Sequence, residues 1–523
     1  MRFKRLPGRC LGTGVACSWL VLAAGCAPVG PDFVKPDAEA AGQWSQDLAQ
    51  GLEPTPQAHP DWWQVFGDPV LDELIETARS RNNNLQIAGL RVLEARAQLG
   101  IAVGQQYPQS QFAAGQATYV SPPDHSLVSD NYWQYGLVAN ASWELDFWGR
   151  FRRGIESADA AYLASIAAYD QVELLLVAAV VDVYAAVRVI EEQLRIADQN
   201  LKLQQRSYDI ADVLYRQGAD SELDVQQAKT LLLATQATLP ELEASLAQAR
   251  NALSTLLGLP PGTVKADLAR GSGIPKVPDA VTIGVPADML RHRPDVRQAE
   301  YLAAAQNALV GLAEADLYPS FSLAGSIGVT AGGPGDSDFG DLFSTDALTF
   351  SVGPSFVWPF LNYGRIKNNV RVQDSRLQQA LVNYRETVLQ AAREAEDAIA
   401  EFIGARAQAL ILTETVTAAR RSNDLSTLRY REGFSDYQRV LDAQQALFAQ
   451  QQRYVNARGD TVSSLVALYR ALGSGWQDDS HPRVDAETLE TMRRRTDWGE
   501  LLDEDAAPSA DPESNGLWRD ADW

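Results

Sequence analysis

A chain of 523 residues, 46% apolar and with a formal net charge of −22, is long enough for several domains or for one large repeated architecture. The acidity excludes nucleic acid as a partner, because phosphate binding needs clustered Lys and Arg. Cys10, Cys17 and Cys26 all lie at the N-terminus, and His59, His125, His292 and His481 share no ligand spacing, so neither a disulfide framework nor a His-based metal or catalytic site is expected.

Arg2, Lys4, Arg5 and Arg9 precede a mostly apolar run from Cys10 to Ala24, the pattern of a secretory signal over residues 1–25. The run ends in Leu22-Ala23-Ala24-Gly25-Cys26, which resembles a bacterial lipobox, so Cys26 is expected to carry a covalent lipid and become the mature N-terminus. Ordinary cleavage near Ala24, with Cys26 incidental, is the alternative. Ala27 in second position, where the resemblance distinguishes it from Asp, favours sorting to the outer membrane. Residues 26–69 then read as an extended, lipid-anchored segment. No later run offers about 18 consecutive apolar residues, so any further membrane contact is expected from strands.

The rest of the chain is a duplication. Tyr215-Arg216-Gln217-Gly218 recurs as Tyr430-Arg431-Glu432-Gly433, and the same offset of 215 pairs Trp143 with Trp358, Arg150 with Arg365 and Gly258 with Gly473. Upstream the offset falls to 211, pairing Tyr107-Pro108 with Tyr318-Pro319 and Ala88 with Ala299. The units run over 70–260 and 286–473, with a Pro/Gly-rich linker at 259–285. Each opens with a helix. In the first, a β-hairpin at 109–147, a long helix at 150–217 and a return helix at 219–257 follow; in the second, a hairpin at 320–361, a long helix at 365–432 and a return helix at 435–472.

Within the hairpins the period is two. Trp133, Tyr135, Leu137, Ala139, Ala141 and Trp143 alternate with polar residues, as do Leu348, Phe350, Val352, Phe356 and Trp358, and Phe321, Leu323, Ile327 and Val329. A soluble sandwich would show the same alternation. Strands of this length with aromatic ends, on a chain carrying an outer-membrane address, favour a membrane barrel. Four strands cannot close one, because open edges in lipid leave backbone groups unpaired. Eight strands from a dimer or twelve from a trimer satisfy the arithmetic.

Between the hairpin and the glycine turn each long helix is free of proline and spans about 100 Å at 1.5 Å per residue. Leu377, Tyr384, Val388, Ala391, Ala395, Ala398, Phe402, Leu412 and Val416 mark a heptad seam, matched at the 215 offset by Tyr162, Tyr169, Leu176, Val180, Val183, Val187 and Ala197, with only Glu173 and Gln204 polar. The segment 474–523 carries five Arg against fourteen Asp and Glu and reads as a disordered tail.

Several motifs together resemble the outer-membrane factors of tripartite efflux pumps, the TolC-like family, in its lipoprotein (RND-type, NodT-like) branch. They are Trp62-Trp63 with Phe66, Asp68-Pro69, Leu71 and Leu74-Ile75; Arg291-His292-Arg293-Pro294-Asp295-Val296; the two Tyr-Arg-x-Gly turns; Leu441-Asp442-Ala443-Gln444; and Leu472-Gly473 with Gly475-Trp476. The resemblance implies a membrane α+β fold: a homotrimeric twelve-stranded outer-membrane β-barrel continued by a periplasmic α-helical barrel. It implies a periplasmic adaptor (membrane fusion protein) and an inner-membrane RND-type transporter as partners, and a passive duct for small molecules such as drugs, toxic compounds or metals. A duct for type I protein secretion and a lipid-anchored coiled-coil scaffold are the competing readings. The resemblance also assigns Tyr215, Arg216, Gly218, Arg431 and Gly433 to an adaptor-contact tip, and Asp442, Tyr430 and Arg439 to a periplasmic gate. Arg439 stands where some members have a second acid, and pairing with Asp442 is expected at the i,i+3 spacing. Neither an enzyme nor a cofactor beyond the lipid on Cys26 is expected.

Overall fold

The computed structural model describes residues 28–36, 44–45, 52–54, 61–123, 131–219, 221–271, 273–283, 290–333, 338–474 and 483–502. In chain order the elements are β1 (Leu52–Pro54), α1 (Pro69–Arg81), α2 (Asn83–Gly104), β2 (Ser110–Val120), β3 (Tyr132–Leu145), α3 (Arg150–Arg216) and α4 (Glu222–Leu256). The second unit follows with β4 (Val281–Ile283), α5 (Pro294–Ala315), β5 (Ser320–Ala331), β6 (Leu348–Val357), α6 (Arg365–Arg431) and α7 (Gln438–Ala471), and α8 (Ala486–Arg495) closes the series. The second hairpin stops at Val357 rather than 361, because Pro359 cannot donate to a ladder and Phe360 N–H turns back to the carbonyl of Trp358.

The four long strands form one antiparallel sheet in the order β2-β3-β5-β6. Its register sorts the side chains. Tyr119, Trp133 and Tyr135 share a face with Leu137, Ile327, Phe350 and Phe356, whereas Gln134, Asn140, Ser326, Thr330, Thr349 and Ser351 share the other. Aromatic contacts gather at both ends: Tyr119, Trp133, Tyr135 and Phe339 at one, Phe147, Phe321, Trp148 and Tyr318 at the other. The ten-residue step from Trp133 to Trp143 covers about 33 Å along the strand, or about 25 Å when tilted as barrel strands are, the height of a bilayer's apolar band. The edges β2 and β6 have no partner strand among the described residues. No described helix is long and apolar enough to cross a membrane.

The core lies below the sheet, where α1, α2 and α5 pack on α3 and α6. The Trp-Trp motif builds it. Trp62 stacks on Tyr469 at 5.1 Å, and Asp68 caps α1 through the N–H groups of Val70 and Leu71 while accepting from the Tyr184 hydroxyl. The polar interruption of the heptad seam, Glu173, is paired in the core with Arg79 at 2.9 Å, and Arg79 lies over the Trp63 ring. At the linker motif, buried Arg293 donates to the Ala471 carbonyl at the end of α7 and pairs with Asp295 and Glu394. Asn82, its equivalent at the 211 offset, donates to the Leu256 carbonyl at the end of α4. Different side chains hold the same place.

Within the segment 474–523, residues 483–502 depart from the expectation of disorder, and 475–482 and 503–523 lie outside the described residues. Residues 483–502 pack across α2, burying Val484, Met492 and Leu502, and Arg96 donates to the Leu501 carbonyl at 2.7 Å. Composition hid this, because a strap needs only a few apolar anchors in an acidic segment. The close approach is made at Gly89, where an added Cβ would lie 2.1 Å from the Arg483 carbonyl oxygen. The equivalent helix α5 is crossed by the other end of the chain: Lys35 pairs with Glu300, Asn307 donates to the Pro31 carbonyl, and Gly311 lies against Gly30.

Candidate functional site

At the end of the helices remote from the sheet, α3 meets α4 and α6 meets α7 through turns at Gly218 and Gly433, with φ of 73° and 75°. Each turn is a Schellman cap. Gly218 N–H bonds Tyr215 O and Ala219 N–H bonds Leu214 O; Gly433 N–H bonds Tyr430 O and Phe434 N–H bonds Arg429 O. The positive φ explains why glycine ends both Tyr-Arg-x-Gly sequences.

Beneath the turns Ala211, Val225, Ala228, Leu231, Tyr437, Val440 and Leu441 form a separate small core, with Tyr208 and Tyr430 packed against it. The Tyr430 ring lies 5.0 Å from that of Tyr437. Of the expected gate residues, Tyr430 therefore belongs to the joint between the turns. Asp442 is exposed on α7 and accepts a hydrogen bond from Gln438 Nε2 at 2.8 Å. The expected pairing of Arg439 with Asp442 is not formed: Arg439 lies 3.7 Å from Asp436 instead. A helical side chain leans towards the N-terminus, which carries the guanidinium to the residue three before it rather than three after.

Of the tip residues, Arg216 pairs with Asp212 at 2.8 Å, Tyr215 is exposed, and Arg431 closes α6. Cys26 lies outside the described residues. Sequence reading missed the exposed apolar side chains around the turns, Val213, Leu223, Leu428 and Phe434. Val213 and Leu428 occupy one position in the two units, and that repetition was the available signal.

A four-stranded sheet with one lipid-compatible face and two edges unpaired among the described residues, continued by paired helices of 67 residues, defines a subunit of an outer-membrane channel. The chain belongs to the outer membrane efflux protein family, whose sequence model matches residues 74–259 and 285–474, one copy on each unit. It is similar to the solvent efflux pump outer membrane protein SrpC of Pseudomonas putida, with 32% identity over 487 residues, 91% of this chain and 99% of that protein. It is also similar to the probable outer membrane lipoprotein SilC of Salmonella typhimurium, with 30% identity over 468 residues, 88% of this chain and 98% of that one. Among solved structures, the outer-membrane channel OprN superposes with a TM-score of 0.79 and 33% identity, covering 86% of this chain and all of that chain. The protein is an outer-membrane efflux channel and not an enzyme, and three copies supply the twelve strands of its barrel.

Proposed function

We propose that this channel is the passive outer exit for small molecules handed over by an inner-membrane RND-type transporter and a periplasmic adaptor, anchored in part by lipid on Cys26. The observation that carries this reading is the far end of the helices, where apolar side chains remain exposed around two structurally equivalent turns. Such a surface suits a protein partner better than water. Tyr215, Arg216, Gly218, Arg431 and Gly433 form the tip that meets the adaptor, and the names of SrpC and SilC support efflux and lipidation respectively.

Asp442 from three copies lines the mouth, where a ring of carboxylates admits cations and repels anions. Tyr430, packed on Tyr437, braces that mouth, and Arg439 with Asp436 forms its exposed rim. Asp442→Ala should raise or destabilise single-channel conductance. A record identical to that of the parent channel would remove Asp442 from the gate.

A further inference from the structure

At the end of the sheet remote from the helices, the chain leaves β5 through Gly332. Its φ is 93° and an added Cβ would lie 2.1 Å from the Trp133 carbonyl oxygen, so glycine alone permits the turn. Before β6 begins, residues 338–347 fold back against β3 and β5. Phe339–Phe343 is a single 3-10 turn, capped by Asp338, which accepts from Gly340 N–H at 2.9 Å; Leu342 and Ala347 are buried.

Ring contacts fix the face on which this segment lies. Phe339 meets Tyr135 edge to face at 5.1 Å, Tyr135 stacks on Trp133 at 6.0 Å, and Trp133 lies 5.3 Å from Tyr119. The strand register puts Tyr119, Trp133 and Tyr135 on the apolar face, which in a barrel meets lipid while the polar face lines the lumen. Phe343 continues the series, edge to face with Phe339 at 5.8 Å, and is 78% exposed. Because β3 and β5 are the inner strands of the sheet, the segment stands back from the edges at which copies join.

An apolar surface therefore runs without a break from the lipid-facing strands to Phe343. Beside such a belt the nearest apolar medium for an exposed ring is the bilayer. Asp338, Asp341 and Asp346 are all exposed, and they limit the depth: charges cost little near the interface and more towards the midplane. We propose that Phe339–Phe343 is a foot seated at the outer boundary of the bilayer, with the Phe343 ring among the acyl chains of the outer leaflet. The segment hangs beside the barrel and leaves the lumen opening uncovered, and three copies brace the barrel at a fixed height. The inference depends on which face meets lipid and not on the proposed mouth, adaptor or transporter.

A nitroxide on Phe343→Cys tests it, in trimers reconstituted in phosphatidylcholine vesicles. Its collision rates are read with oxygen, which concentrates in acyl chains, and with a water-soluble nickel chelate. Ile327→Cys, on the apolar face of β5, and Gln134→Cys, on the polar face of β3, give the lipid and lumen references. The parent protein, carried through the same labelling, gives the background from Cys10, Cys17 and Cys26. The oxygen-to-nickel ratio at Phe343→Cys should fall between the two references and severalfold above Gln134→Cys. Should Phe343→Cys fail to form trimers, Phe339→Cys is read instead, with the same expectation. A ratio no higher than that of Gln134→Cys would put the segment in water or over the opening and overturn the proposal. Low collision rates with both reagents would mean that a neighbouring copy covers the ring, which overturns it equally.

Discussion

A charge buried in a helical core is tolerable only with a counter-charge built beside it. Glu173 interrupts an otherwise apolar seam on α3, and nothing in the seam announces that Arg79, on α1 and ninety-four positions away, supplies its partner. The pair is worth little against two well-packed apolar residues, yet leaving either charge alone in the core would be costly. Asp182 is the less settled case. Burial raises its carboxyl above the ordinary aspartate range, a hydrogen bond to Ser463 and the charge of Arg470 oppose that only in part, and Oδ1 finds no hydrogen-bond partner among the described residues. Because the folded-state pKa lies above the unfolded one, protonation favours the fold, and the stability it contributes at low pH is lost as pH rises through the folded value. Asp182→Asn should therefore raise the melting temperature at neutral pH, and the gain should shrink as the solution is acidified through the raised folded value down to pH ~4, the unfolded one. Thermal unfolding of both proteins across that range reads it; a gain that grows on acidification contradicts the assignment.

At the scale of elements, the contact between α3 and α7 differs from an apolar heptad seam. Gln193 donates to Asn456, Asn200 to Gln451 and Gln444 to Ser207, a row of amide contacts between the two units. Gln204 sits among them, 1% exposed, with neither amide atom bonded among the described residues. The heptad was legible on each helix because periodicity is a property of one segment. The row was not, since a hydrogen bond between helices more than two hundred residues apart leaves no trace in either period. For the same reason the tip turns were readable from Tyr-Arg-x-Gly alone, whereas the packing of Tyr430 on Tyr437 was not. A buried amide without a partner costs about 1–3 kcal/mol. Gln204→Leu should therefore tighten α3 on α7 by a similar amount, raise the melting temperature and lower the open probability of the channel, because a polar seam lets helices part more readily than an apolar one. Calorimetry and single-channel recording on one preparation would separate the two effects. A lower melting temperature would mean that Gln204 has partners that matter more than its desolvation.

For the whole molecule, duplication solves most of the construction and leaves the ends of the chain to finish it. Two units give paired hairpins, paired long helices and equivalent caps, and this much followed from the 215 offset. Repeat arithmetic cannot say how α2 and α5, once duplicated, are shielded on their outer sides. The structure answers with both ends of the chain: residues 28–35 cross α5, and residues 483–502 cross α2 at Gly89 and Arg96. An acidic segment read only by its charge could not reveal that Val484, Met492 and Leu502 are anchors. Each buried apolar side chain contributes about 1.5–3 kcal/mol, and ordering the strap offsets much of it, so a net of about 2–4 kcal/mol remains. Truncation after Ser474 should accordingly lower the melting temperature of the channel by several degrees while leaving trimer insertion and conductance intact, because the strap touches neither the strands nor the far turns. Arg96→Ala, which removes the bond to Leu501 and leaves the strap in the chain, should reproduce a fraction of the loss. If the truncated protein melted with the full chain, the strap would be a passenger on α2; if it failed to form trimers, the strap would be part of assembly rather than of the protomer's own core.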